Sequence, residues 1–359
     1  ITERAVQRVR DLFEAPDAAV WFVATGSAAN SLALACLSRP WDAICCSPSA
    51  HIYEDECNAP EFYTGGAKLM RIGDVEDKFT AEALSAEFAR WPRSVHTPQY
   101  GPVSITNVTE RGTLYSLPEI RAIADVAHGQ GVHLHLDGAR FANACVALGC
   151  TPAEMSWKAG VDAVSFGGTK NGLMGVEAVV VFDPDLARDF ELRRKRAGHL
   201  FSKARYLAAQ MDAYLTDDLW RDLATRANRA GTRLAEGLRT VDGLRFLWRP
   251  EANMLFPEFA AHRHHRAIEA GARYNLWSGD LDGEGDVACR LVGAGSIGDP
   301  QIAGLVDRVA GCPALLIGTN TPGSARGPAP RSEAQCLGPV DLDHPGHRLG
   351  PVRPPRLSI

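Results

Sequence analysis

No stretch of this chain approaches the roughly twenty consecutive apolar residues that a membrane span requires. The first residues, Ile1-Thr-Glu-Arg-Ala-Val-Gln-Arg-Val-Arg10, contain no signal-peptide core. A basic block is missing as well. Lysine and arginine number 38 against 43 aspartates and glutamates, a net charge of −5, with no cluster to lay along a phosphate backbone. Nucleic acid and membrane are therefore poor partners, and the expectation is a cytosolic protein that handles a small molecule. Cys-x-x-Cys pairs are absent too: the nine cysteines are an odd, scattered set. Cys36, Cys145 and Cys150 sit among alanines and leucines, where a thiol behaves as a small apolar side chain. His133 and His135 share a strand face and could meet His51 at a metal. A strand interior rarely leaves an ion an open position, so no metal is expected.

What is present is ordinary globular composition, 45% hydrophobic and 23% charged over 359 residues, long enough for two domains. Up to about Tyr214 short apolar runs alternate with Gly or Ser turns and helical stretches, the pattern of a largely parallel sheet covered by helices. The runs are Ala19–Ala24, Ala43–Cys46, Lys68–Ile72, Pro102–Thr106, Val132–Asp137, Val161–Phe166 and Val176–Phe182, with helices over 28–37 and 117–128. Residue 1 already lies in an amphipathic helical pattern. A basic amphipathic segment, Pro184 to Tyr214, reads as a spine leading to a smaller α+β unit. That unit has a helix over 218–240 and runs at Gly243–Leu247, Ala252–Phe256, Tyr274–Trp277 and Val287–Val292, ending near Ala310. From Gly311 onward Pro, Gly and Arg crowd the chain without any period, which predicts a disordered tail. The expected organisation is 1–214, 215–310 and a tail over 311–359.

Chemistry concentrates in Val132-His-Leu-His-Leu-Asp137-Gly-Ala-Arg140 and in Gly167-Gly-Thr-Lys170-Asn-Gly172. Asp137 ends its strand, and ligands in open α/β sheets bind outside the carboxyl ends of strands. A carboxylate there can keep a pyridine nitrogen protonated, and a lysine on a glycine turn can bond an aldehyde. Together these are the two groups that hold pyridoxal phosphate by its ring nitrogen and its aldehyde. Asp137 could instead cap the helix over 138–148. Desolvation at a buried sheet edge would lower the Lys170 pKa, a solvated turn lysine being the bland alternative. Asn171 and Gly172 simply allow the turn. Thr25-Gly26-Ser27-Ala-Ala-Asn30 places Gly26 and Ser27 between a strand and a helix start, where amide groups and the helix dipole accept a phosphate; Ser27 could equally be a plain N-cap. His51, in Ser49-Ala-His51-Ile-Tyr-Glu-Asp-Glu56, could stack on the cofactor ring or move a proton, or could be a capping or surface residue. Arg140 pairs with Asp137 or faces cofactor and substrate. Arg290 sits among apolar strand neighbours, where a guanidinium calls for an anion, either a substrate carboxylate or an internal partner.

With these residues assembled, the chain resembles the L-threonine aldolase family, the low-specificity aldolases grouped with β-eliminating lyases among fold-type-I pyridoxal phosphate enzymes. The resemblance runs from about residue 1 to Ala310. Its most specific parts are Leu136-Asp-Gly-Ala-Arg140 with Phe141 and Asn143, and Ser165-Phe-Gly-Gly-Thr-Lys170-Asn-Gly. It implies an α/β fold of the aspartate aminotransferase type and an aldehyde-lyase that cleaves L-threonine to glycine and acetaldehyde, assembled as a homodimer or homotetramer. It implies roles as well: Lys170 bonding the cofactor aldehyde, Asp137 on the pyridine nitrogen, and Gly26 and Ser27 in the phosphate loop. His51 would stack on the ring and serve as base, Arg140 would contact cofactor and substrate, and Arg290 would clamp the amino-acid carboxylate. Three stretches depart from the family. Tens of residues with a polar substrate-side loop and a tyrosine-glycine segment do not precede Ile1, the proline-rich end is unlike the family's terminal helix, and Ile105–Gly112 lacks a threonine-histidine-asparagine. The alternatives are another pyridoxal phosphate lyase or aminotransferase, or a truncated fragment without activity.

Overall fold

A computed structural model describes residues 1–73 and 78–311. The tail expected from Gly311 onward therefore lies, from residue 312, outside the described residues. The first part of the chain runs α1 (Thr2–Leu12), β1 (Ala19–Val23), α2 (Gly26–Leu37), β2 (Asp42–Cys46), α3 (His51–Glu54), α4 (Ala59–Thr64) and β3 (Lys68–Arg71). It continues with α5 (Ala81–Arg90), β4 (Gln99–Thr106), α6 (Leu117–Gly129), β5 (Leu134–Gly138), α7 (Phe141–Leu148), β6 (Ala163–Gly167) and β7 (Glu177–Val181). Seven strands form one sheet in the order β1-β7-β6-β5-β4-β2-β3. Strands β2, β5, β6 and β7 are buried along their whole length, as the unbroken apolar runs require of strands covered on both faces. Helix α6 starts at a capping box of Ser116 and Glu119 and carries Ile120, Ile123, Ala124 and Ala127 into the core at helical spacing.

The sheet is largely parallel, as expected, with one exception at β7, which runs antiparallel to both β6 and β1. The cause is chain length. Only the turn carrying Lys170 separates Gly167 from Glu177, and a parallel return needs a crossover of about a dozen residues or more. The expected spine over 184–214 is also not one helix. It divides into α8 (Ala187–Arg196) and α9 (Arg205–Tyr214), with Gly198 at φ +79° following the basic last turn of α8.

The chain then forms α10 (Leu219–Arg239), β8 (Arg245–Phe246), β9 (Met254–Leu255), β10 (Pro257–Ala260), α11 (Ala261–Glu269), β11 (Asn275–Ser278), β12 (Asp286–Val292) and α12 (Asp299–Ala310). A second, antiparallel sheet orders them β11-β12-β10-β8, with β9 also on β12. The apolar run Ala252–Phe256 contributes only β9; Pro257, which has no amide proton to donate, opens the separate strand β10. Helices α5 and α11 were not marked by the sequence patterns. Leu234, Leu238, Leu255, Phe259 and Leu291 fill a core between α10 and this sheet. The two parts are joined where α10 crosses α7: Asn143 Nδ2 donates to Asn228 Oδ1 at 3.0 Å, and Asn228 Nδ2 to the Asn143 carbonyl at 2.9 Å.

Candidate active site

The carboxyl ends of β4, β5 and β6 lie level, with Thr106 beside Asp137 and Asp137 beside Ser165. Glycine is required at this edge, since a Cβ on Gly138 would stand 2.7 Å from the Ser165 carbonyl oxygen and 2.9 Å from the Phe141 ring. Asp137 is 3% exposed. Ala139 N–H donates to its Oδ1 at 2.9 Å and Asn30 Nδ2 donates to its Oδ2 at 2.8 Å. It does not cap α7, whose first flanking residue is Arg140 without a side-chain capping bond.

Asn30 extends this contact into a buried chain. Its Nδ2 also donates to Glu56 Oε1 at 2.9 Å, and the same oxygen accepts from His51 Nδ1 at 2.8 Å. Burial pulls the His51 pKa down and Lys170 opposes its charge, but the hydrogen bond to Glu56 and the charges of Glu56 and Asp137 outweigh them. The net result is a pKa above the ordinary 6.5. Glu110 Oε1 fixes the backbone here, accepting from His51 N–H at 2.9 Å and from Thr106 Oγ1 at 3.0 Å. Sequence patterns did not single out Asn30, Glu56 or Glu110. One signal was available for Asn30, a lone amide on the otherwise apolar face of α2, since a buried amide needs partners.

Lys170 occupies a 3-10 turn, Thr169–Asn171, closed by Gly172 at φ +108°. The turn is pinned on every side. Gly168 N–H donates to Glu177 Oε2 at 2.7 Å, and Val176 N–H to Thr169 Oγ1 at 3.1 Å. Asn171 does more than permit the turn: it is buried, and its Nδ2 donates to Tyr214 Oη at 2.6 Å and to the Trp220 carbonyl at 2.8 Å. One expectation is corrected. Thr169 and Lys170 are exposed, so burial does not supply the desolvation foreseen for the Lys170 amine. The charges of Lys170 and Asp137 both act on His51 and on Glu177, which sets the four groups around one locus.

Glu177 is buried, and burial pushes its pKa up to about 7 against the opposing hydrogen bonds from Thr169 and Gly168 and the charge of Lys170. The folded state thus holds this proton more tightly than the unfolded chain, so the stabilisation is complete below pH ~4.5 and is lost as pH rises through about 7. Replacing Glu177 by Gln keeps an acceptor for Gly168 and removes that slope. Relative to the wild type, the Gln variant is expected to gain about 2.5 kcal/mol of unfolding free energy between pH 5 and pH 8. Parallel pH profiles of the two proteins in denaturant titrations would contradict the prediction.

At α2 the cap is Thr25, whose Oγ1 accepts from Ala28 N–H at 3.2 Å, not Ser27. Ser27 lies inside the first turn, and the leading amides of Gly26 and Ser27 have no acceptor within the helix. An added Cβ at Gly26 would meet nothing within 4 Å, so the space in front of this helix end is open. Arg140 is half-buried two residues beyond β5. Arg290 is half-buried on β12 opposite Asn275, in the second sheet. That sheet docks onto the loop after β4. Arg111 Cζ stands 4.8 Å and 4.6 Å from the Trp248 and Trp277 ring centroids, and Leu114 N–H donates to Glu251 Oε2 at 2.7 Å. His133 and His135 have other partners than a shared ion with His51. His133 Nδ1 lies 3.6 Å from Asp162, and His135 is buried between the Ser104 and Ser165 hydroxyls, burial lowering its pKa to about 4. Among the described residues no three His, Cys, Asp or Glu side chains gather for a metal.

A buried carboxylate on a central strand, a lysine on the next strand's exit turn and an open helix N-terminus fit pyridoxal phosphate at its ring nitrogen, aldehyde and phosphate. Fold and site together define the fold-type-I class of enzymes built around that cofactor. A solved structure of threonine aldolase from Leishmania major superposes with a TM-score of 0.80 at 26% identity, covering 86% of this chain and 88% of that one. Serine palmitoyltransferase from Sphingomonas wittichii shares the fold at a TM-score of 0.64 and 16% identity, over 87% and 75% of the chains. Residues 1–262 match the beta-eliminating lyase family, and the chain belongs to that family. The low specificity L-threonine aldolase of Pseudomonas aeruginosa is 43% identical over 279 residues, 78% of this chain and 80% of the relative.

Proposed function

We propose that this protein is a pyridoxal phosphate-dependent aldehyde-lyase that splits L-threonine and related β-hydroxy-α-amino acids into glycine and an aldehyde. The observation that carries the reading is the convergence of Asp137, His51 and Lys170 at the β5 and β6 exits, in a chain 43% identical to a low specificity L-threonine aldolase. When bound, the cofactor supplies an electron sink for the pair released from the Cα–Cβ bond. The protein's own residues do the rest. Lys170 would hold the cofactor by its aldehyde. Gly26 and Ser27 amides hold the phosphate, and Arg140 borders both cofactor and substrate. Asp137, with both oxygens already fixed, keeps the proton on the ring nitrogen. Arg290 would bind the substrate carboxylate and so fix the orientation of the amino acid in the site.

His51 takes the β-hydroxyl proton, directly or through a water molecule. With Nδ1–H held by Glu56, the acceptor is Nε2, and it is available only while the ring is neutral. Because the His51 pKa is raised, kcat/KM is expected to climb with pH through a value above 6.5. Glycine and acetaldehyde in equal amounts from L-threonine, with no ammonia, are the expected products. Ammonia and a 2-oxo acid would instead establish β-elimination, the competing chemistry in which Lys170 removes the Cα proton. For Arg290→Ala, KM for threonine is expected to rise at least about tenfold; an unchanged KM would remove Arg290 from the substrate site. We further propose a cytoplasmic homodimer or homotetramer, which light scattering tests through the particle mass.

A further inference from the structure

We infer that Glu56 is a positioning residue that acts through His51, holding its Nδ1 proton so that Nε2 remains the acceptor, and that Asn30 ties this pair to Asp137. The inference rests on the reading of His51 as the base and adds the residues that prepare it.

The Glu56 side chain has no exposure to solvent, whereas the His51 side chain is 32% exposed. A buried carboxylate is costly without compensation, and here one oxygen, Oε1, takes two donors while Oε2 has no hydrogen-bond partner among the described residues. Glu56 therefore favours a positive or strongly donating His51 ring. In the neutral ring only one nitrogen carries a proton, and the carboxylate accepts it from Nδ1, which leaves the Nε2 lone pair for chemistry. The same logic orients the base of a serine protease through a buried carboxylate. The groups that bear on His51 come from every element packed against it: Glu56 beyond α3, Asp137 at the end of β5, Lys170 on the turn after β6, and Glu110 from the loop after β4.

Asn30 fixes the arrangement by charge. Turned about, its amide would set an oxygen against two carboxylate oxygens, so both Nδ2 protons are committed, one to Glu56 at 2.9 Å and one to Asp137 at 2.8 Å. Its own Oδ1 has no hydrogen-bond partner among the described residues. A single amide nitrogen thus separates the acid behind the base from the acid on the cofactor side.

The test is Glu56→Gln, read first without cofactor by nitrogen NMR of labelled histidines. Wild-type His51 should show an Nδ1–H tautomer and titrate above 6.5; in the variant burial is opposed only by the charge of Asp137, and the pKa should drop by at least about one unit. In the loaded enzyme the acid limb of kcat/KM should move down by the same amount. Its plateau should fall at least about tenfold, because an amide can donate to Nδ1 and hold the wrong tautomer. Glu56→Asp keeps the charge at shorter reach and should restore part of both shifts. It also serves should Glu56→Gln fail to fold, when its His51 pKa must lie below the wild-type value. An unmoved His51 pKa in either folded variant overturns the inference. His51→Asn separates the two layers: wild-type turnover there refutes the base, whatever Glu56 does to the ring's titration.

Discussion

Lys170→Ala eliminates both the yellow absorbance of lysine-bound cofactor and turnover, the latter by on the order of 10³-fold or more. The size of the effect follows from the absence of a substitute at that spot. The turn is held by Gly168 and Thr169 to the start of β7 and by Asn171 to Tyr214 and Trp220, and it delivers the side chain at position 170 to the locus shared by Asp137 and His51. Loss of the absorbance together with loss of the glycine yield is the expected pair of results. Wild-type absorbance and glycine yield in the Ala variant would refute the assignment.

Asp137→Asn separates cofactor capture from catalysis. The variant should still bind cofactor through Lys170 and remain yellow, while turnover falls by on the order of 10²- to 10³-fold, because a neutral amide cannot hold the ring-nitrogen proton. A structural cost accompanies it. Asp137 accepts from two donors, Ala139 N–H and Asn30 Nδ2, and an amide can accept on only one side, setting its own NH2 against the other donor. The site is 3% exposed, so the unmatched pair should cost about 1–3 kcal/mol in denaturant unfolding. Turnover equal to wild type would show that Asp137 does not serve the cofactor.

The strands that carry the site were legible because their burial is written as apolar runs ending in Gly, Ser or Asp. Val132–Asp137 and Val161–Phe166 led to β5 and β6, and hence to Asp137 and Lys170. The antiparallel direction of β7 was not, since hydropathy carries no strand direction; only the short link from Gly167 to Glu177 encodes it. Side chains that work through distant partners were illegible for a different reason. Glu56 is five residues from His51, but its meaning depends on Asn30, 26 positions away, which in turn reaches Asp137 across 107. Glu177 reads as one polar residue in a run of valines, and Asn171 as a turn residue, until Gly168, Tyr214 and Trp220 are placed around them. The exposure of Lys170 likewise depends on what covers the turn, which neighbouring sequence does not state.

Borohydride reduction of the cofactor-loaded protein, followed by peptide mass mapping, tests the central claim most directly, since it fixes the cofactor's aldehyde carbon to whichever amine holds it. The phosphopyridoxyl group should be recovered on Lys170 and on no other lysine. Recovery on a different lysine, or no labelled peptide from protein saturated with pyridoxal phosphate, would contradict it.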